Sequence, residues 1–397
     1  MKSKLIDLKI ALKKEMENIL QFWQNSSLDI EHGGFYGRID YKNRVIPNST
    51  KGIILNTRIL WTFSAAFNFF KREEYLEIAN RAFNYLNQYF LDNDNGGFYW
   101  EVDYKGNPIN TRKQIYAQAF SIYSFSEYYK ASGNIKSLQK AQEIFWLIEK
   151  YSFDALNIGY IEALDKKWQP LQDMRLSEKD ANEPKTMNTH LHILESYTAL
   201  YHIWKDKTLA RQLKSLIQIF LNKIIDSESN HLNLFFDLDW TVKSSIVSFG
   251  HDIEGSWLLT EAAETLKDKE LLKEVERIAI NLVDSTMKEG IDDDFSLFYE
   301  YEKDSNKMDF DKHWWPQGEA MVGLVNAWKI TGDQGYLEKV LKVWDFIRIY
   351  FINNKYGGWN SRINASNQIV YDDDIINLWK GPYHNTRACM EVFNRLF

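Results

Sequence analysis

Cysteine is almost absent: Cys389 is the one thiol in 397 residues, so no disulfide within the chain can brace the fold. The chain therefore does not depend on an oxidising compartment. Proline and glycine are scarce as well, at 6 and 19 residues, which excludes collagenous and linker-rich architectures and fits one large helical body. Long apolar runs are missing too. Met1 to Leu20 carries Lys and Glu at helical spacing and reads as neither signal peptide nor membrane span, so the expected location is cytoplasmic. Asn25-Ser26-Ser27 and Asn48-Ser49-Thr50 match the glycan acceptor pattern, which is idle without secretion. Positive charge is not in surplus. Lys and Arg number 48 against 55 Asp and Glu, a net charge of −7, so neither a nucleic-acid groove nor an anionic membrane surface is expected. The oligomeric state is left open, with a monomer the simplest case.

What is abundant is aromatic: 24 Phe, 22 Tyr and 14 Trp make up 15% of the chain. Some of them mark a repeat. Gly33-Gly34-Phe35-Tyr36 returns 63 residues later as Gly96-Gly97-Phe98-Tyr99, with weaker echoes at Gly159-Tyr160 and Gly357-Gly358-Trp359. Between these, Leu234-Phe235-Phe236 and Leu297-Phe298-Tyr299 are again 63 apart. Six such points divide the chain into intervals, each long enough for two helices and their loops.

The helices between these points are of two kinds. Lys71 to Phe90 sets Leu76, Ala79, Phe83, Leu86 and Phe90 at steps of three and four among charged residues, the pattern of a one-sided outer helix. Ile53 to Phe70 is apolar almost all round, interrupted by Asn56, Thr57 and Arg58, and is expected to be buried on most sides. The second kind recurs at 113–129, 186–203, 247–266, 314–330 and 382–397, each beside an amphipathic partner such as 271–287. Six buried helices alternating with six amphipathic ones predict an all-α fold, an (α/α)6 barrel of six inner and six outer helices forming a single domain over residues 1–397. Short hairpins are expected at one rim. The long polar connections 162–184 and 360–380 are candidate rim or lid segments.

Polar groups that a pure core would reject lie near the starts of the inner helices: Arg58, Tyr116 and Gln118, Asn188, His190 and His192, His251 and Glu254, Trp314, Trp315 and Glu319, and His384, Asn385 and Arg387. Buried unpartnered, such groups are costly, so they must bond one another or a ligand. His190 and His192 point about 200° apart on a helix, so only one can face a central cavity. His251 lies three residues before Glu254 on one helical face, where a carboxylate would raise its basicity. His384 opens a helix, where the dipole favours a neutral imidazole. His32, His202, His231 and His313 are expected to be surface or structural. A zinc site is the rival reading, but no His-x-x-x-His or Cys-x-x-Cys spacing is present, and neither metal nor cofactor is expected. An acid–base pair drawn from Asp180, Glu254 and Glu319 keeps a glycosidase open, and the tryptophans suit stacking on sugar faces.

Five ordered motifs sharpen this reading. Lys51-Gly-Ile-Ile-Leu-Asn-Thr-Arg58-Ile-Leu-Trp, Lys185-Thr-Met-Asn-Thr-His-Leu-His192, Ser248-Phe-Gly-His251-Asp-Ile-Glu254, Trp314-Trp-Pro-Gln-Gly-Glu319 and Trp379-Lys-Gly-Pro-Tyr-His384-Asn together resemble the cellobiose 2-epimerases of the N-acylglucosamine 2-epimerase superfamily. The resemblance implies epimerisation at C2 of the reducing-end glucose of β-1,4-linked disaccharides, without metal or nucleotide. It implies His251 and His384 as the general acid/base pair, His192 as helper in ring opening, and Glu254 as partner of His251. It also implies Arg58 and Tyr116 at the sugar oxygens, Asn188 and Asp180 as hydroxyl ligands, and Trp314 or Trp315 with Trp379 as platforms for the sugar rings. A monosaccharide epimerase or isomerase of the same superfamily is the alternative.

Overall fold

The computed structural model describes residues 1–397. Six inner helices, α2 (Ile53–Phe70), α4 (Ile115–Ser132), α6 (Met187–Ile203), α8 (Phe249–Leu266), α10 (Trp314–Thr331) and α12 (Tyr383–Leu396), pack side by side into a closed ring. Outside them lie α1 (Lys2–Ser26), α3 (Glu73–Tyr85), α5 (Ile135–Tyr151), α7 (Lys207–Ile219), α9 (Lys269–Glu289) and α11 (Gln334–Phe346). This is the (α/α)6 barrel that the alternation predicts. No helix is long and apolar enough to cross a membrane.

The two ends of the barrel are built differently, which decides where a site can form. At one end the first five inner helices pass to the next outer helix through a short turn, and Lys71, Gly133, Lys267 and Gly332 end theirs in the left-handed region. The side chains of Asn134, Asp206, Asp268 and Asp333 then accept amide hydrogens and cap the next helix. That end is closed. At the other end every outer helix returns through a long connection that opens with a narrow hairpin. The six hairpins are closed by Leu28 with Phe35, Leu91 with Phe98, Phe153 with Tyr160, Ile225 with Leu232, Ile291 with Leu297 and Ile352 with Trp359. The fourth therefore falls at Leu232, two residues before the Leu234-Phe235-Phe236 echo, whose Phe235 and Phe236 instead pair with Thr186 and Lys185.

Buried ion pairs pin these hairpins to the inner helices. Two residues before the inner helix, Lys51, Lys113, Lys185 and Lys312 reach Asp29, Asp92, Asp154 and Asp292 at 2.7, 2.9, 2.9 and 2.6 Å. In the fourth repeat Val247 replaces the lysine, and the cation comes from His231, whose Nδ1 lies 2.7 Å from Asp252. The fourth residue of an inner helix adds a second tie. Gln118 and Gln317 each accept the amide of Phe98 or Leu297 and donate to its carbonyl. His190 accepts the amide of Tyr160 at 2.9 Å, and Asp252 that of Leu232 at 2.7 Å. Gln118 and His190 are thus structural.

Candidate active site

The open end leads into a cavity of about 500 Å3 lined from every inner helix. Arg58, Tyr116, Asn188, His192, His251, Glu254, Trp314, Trp315, Trp379, His384 and Asp180 all line it, so the structure brings together the residues that the family resemblance implies, while Gln118, His190, Glu319, Asn385 and Arg387 lie behind its lining. The second, third and sixth residues of the inner helices supply most of them. Both long connections contribute, through Arg175 to Ala181 and through Trp379. Trp314 and Trp315 both face the cavity.

Two imidazoles of the lining neighbour one indole. The ring of Trp315 lies 4.8 Å from that of His251 and 5.6 Å from that of His384. Gly250, the second residue of α8, makes this possible: a Cβ there would sit 2.5 Å from the Trp315 ring. His384 Nδ1 is 2.7 Å from Glu319 Oε1, so the carboxylate accepts its hydrogen and Nε2 is left with a lone pair. His192 is held the same way, Nδ1 donating to Glu195 at 2.9 Å. His251 differs, for its Nδ1 meets the hydroxyl of Ser248 at 2.8 Å, a partner that can donate or accept.

Glu254 does not pair with His251. Its Oε1 accepts from Arg387 Nη2 at 2.6 Å, and the same nitrogen donates to Glu319 at 2.7 Å. The other arm of Arg387 donates to Glu195 and to the Tyr383 hydroxyl. One buried guanidinium thus joins the carboxylates that orient His192 and His384. Glu254, Glu319 and His384 stand close enough to surround a cation, with ligand atoms within 4.8 Å, yet Arg387 already brings positive charge to both carboxylates.

Burial sets the protonation states. It presses both His251 and His384 down to about 3, with His192 and His384 repelling charge on His251, and with Arg58 opposing Glu319 at His384. Both are therefore neutral near neutral pH. Burial works against the charge on Glu319, but Arg387 and His384 overcome it and hold its carboxyl low. Burial and the neighbouring Glu319 push Glu254 up instead. Tyr116 is driven upward by burial and stays a hydroxyl, accepting from Arg58 Nη2 at 3.0 Å and so keeping its own hydrogen for a ligand. Arg58 also donates to the carbonyl of Trp379, while Asn188 Oδ1 has no partner within the protein.

His313 is a correction to the sequence reading. It is neither a surface group nor simply structural, for it lines the cavity stacked on Tyr299 at 3.9 Å. Sequence reasoning gave no role to Ser248, Glu195, Tyr383 or Arg387. A signal for two of them existed, since Glu195 and Arg387 lie three residues beyond His192 and His384, as Glu254 does beyond His251.

Comparison with known proteins places the chain in a family. The family profile described as N-acylglucosamine 2-epimerase (GlcNAc 2-epimerase) matches residues 34–388. The chain is 47% identical over 386 residues to the cellobiose 2-epimerase of Bacteroides fragilis, covering 97% of this chain and 98% of that one. It is 36% identical over 396 residues to the cellobiose 2-epimerase of Dictyoglomus turgidum, covering 98% and 100%. The solved structure of cellobiose 2-epimerase from Bacillus thermoamylovorans B4167 matches with a TM-score of 0.93 at 39% identity, covering 98% of this chain and 99% of that one. Fold, cavity and relatives converge: the chain belongs to the N-acylglucosamine 2-epimerase family and is a carbohydrate epimerase.

Proposed function

We propose that the chain epimerises C2 of the reducing-end glucose of β-1,4-linked disaccharides, converting cellobiose to 4-O-β-D-glucosyl-D-mannose and accepting lactose-type sugars. The observation that carries this reading is the pair of imidazoles that share Trp315 as a neighbour, each anchored through Nδ1 and each facing the cavity. Inverting C2 of an aldose needs ring opening, removal of a proton α to the carbonyl, and its return to the other face of an enediolate. Two imidazoles suit that exchange, since each can take and give a proton.

For turnover the pair takes up one proton that burial otherwise disfavours, and the negative charge of the enediolate offsets that cost. His384 Nε2 takes hydrogen from C2, and the electron pair moves through C1 onto O1. Glu319 steadies the imidazolium that results. His251, protonated, gives its hydrogen to the opposite face of C2, and its Ser248 partner can accept from either protonation state. The Arg58 guanidinium and the Tyr116 hydroxyl stabilise the charge that develops on the oxygens. His192 assists ring opening. The breadth of the cavity, with Trp379 set against Trp100 and Tyr116 at one wall and Asp180 on another, favours a disaccharide over a monosaccharide.

Incubation with cellobiose in D2O, followed by NMR, tests the reading. The expected product has a mannose reducing end, with deuterium at C2 where the abstracted proton exchanges with solvent. Release of free glucose, or conversion of monosaccharides alone, would refute it.

A further inference from the structure

Four buried lysines at the rim have an aspartate each, and a fifth has none. Lys380 is 3% exposed, and no carboxylate lies within ion-pair distance of its ammonium. It stands one residue ahead of the place those lysines take, because Gly381 occupies the position two before α12. In the repeat that would supply the acid, Asn353 replaces aspartate and turns its amide to Asn360 at 3.0 Å. Burial without a nearby counter-charge is costly and presses this amine down to about 7, so near neutral pH it is only partly protonated and works chiefly as a hydrogen-bond donor.

Its contacts show what it holds. The ammonium donates to the carbonyl of Trp359 and to Ser361 Oγ at 2.8 Å, and it sits 5.2 Å from the centre of the Trp314 ring. The carbonyl of Ser361 in turn accepts the amide of Trp314 at 3.2 Å. Lys380 adjoins Trp379, whose carbonyl is held by Arg58 and whose indole packs on Trp100 at 5.5 Å. One side chain therefore ties the connection bearing Trp379 to the start of the helix bearing Trp314. Both indoles line the cavity. We infer that Lys380 is a positioning residue that fixes the two tryptophan walls relative to each other and so sets the affinity for a two-ring sugar. Its hydrogen bonds to Trp359 and Ser361 do the holding, and its packing over the Trp314 ring adds to them when the amine is protonated.

This inference rests on the disaccharide reading of the site, and the test separates the two. Lys380→Met and Ser361→Ala are compared with the unaltered chain by cellobiose titration of tryptophan fluorescence and by steady-state epimerisation. Lys380→Met should raise Kd and KM about tenfold, equivalent to roughly 1.4 kcal/mol, with kcat within about twofold. Ser361→Ala, which removes one acceptor and leaves the lysine in place, should move KM in the same direction by less. Unchanged Kd and KM in both variants, or a fall in kcat at constant KM, would overturn the inference. Should Lys380→Met not fold, the Ser361→Ala result decides alone. If the unaltered chain binds cellobiose without epimerising it, the functional reading fails, and the Kd comparison still judges Lys380.

Discussion

Replacing His190 by glutamine should make the protein less sensitive to acid while leaving it folded. His190 is fully enclosed at the start of α6, its Nδ1 2.6 Å from the Thr186 carbonyl and its Nε2 accepting the Tyr160 amide at 2.9 Å. A second proton on the ring would face that amide hydrogen. Burial, opposed by the Thr186 carbonyl and aided by Lys185, holds the group down to about 4 against an ordinary value of 6.5. The sign follows from linkage. Between those values the unfolded chain binds the proton and the folded chain does not, so stability present above 6.5 is lost as pH falls towards 4. For these two values, going from pH 7 to pH 5 removes about 2 kcal/mol through this residue. Gln118 and Gln317, at the equivalent positions, make the corresponding tie with an amide that does not titrate. Urea unfolding at pH 7 and pH 5, followed by circular dichroism, measures the effect. His190→Gln should lose about 2 kcal/mol less than the unaltered chain over that interval. Equal losses in the two proteins, with the variant folded at pH 7, would refute the reasoning.

Other expectations concern the imidazole pair and the rim. His251→Ala and His384→Ala should each abolish epimerisation of cellobiose while circular dichroism stays unchanged; turnover retained by both purified variants would end the assignment. Glu319→Gln, which leaves His384 with a neutral partner, should lower kcat by about a hundredfold, with NMR of the imidazole protons reporting the lost tautomer preference. Lys113→Met strands Asp92 in a fully buried position and should destabilise the fold by about 3–5 kcal/mol in urea. The double replacement Lys113→Met with Asp92→Leu should recover much of that loss, because the apolar pair leaves no buried charge.

The ring of helices was legible because burial on all sides and burial on one side leave different patterns, and Ile53–Phe70 and Glu73–Tyr85 display both in succession. The cavity residues were legible because a charge such as Arg58 in an apolar helix requires a reason. Less legible were contacts across the barrel. Nothing local to α8 reveals that Glu254 turns to Arg387 on α12 and leaves His251 to a serine. The fourth hairpin precedes the Leu234-Phe235-Phe236 echo by two residues, and no glycine marks it, because Ser229-Asn230-His231 stands where the first, second, third and sixth repeats carry glycine. There Asn230 supplies the left-handed conformation, which an asparagine adopts more readily than most residues. His313 was misjudged because its neighbour Lys312 reads as surface, whereas that lysine is buried on Asp292.

Helix geometry explains how one repeat can serve both structure and chemistry. Residues two and six of a helix differ by 400° of rotation, so they share a face, while residue four stands about 200° away. In this barrel the shared face points to the axis and carries Tyr116, Asn188, Trp315 and His384 at the second position and Arg58, His192 and Glu254 at the sixth. The opposed face carries Gln118, His190, Asp252 and Gln317, each bonded to the hairpin beside it. Axial positions can therefore differ in every repeat without loosening a hairpin, and the fourth positions can persist without touching substrate. His251 departs from this register at the third position of its helix. The second position there is Gly250, and the ring of Trp315 fills the space a side chain would take, which sets that indole against both imidazoles.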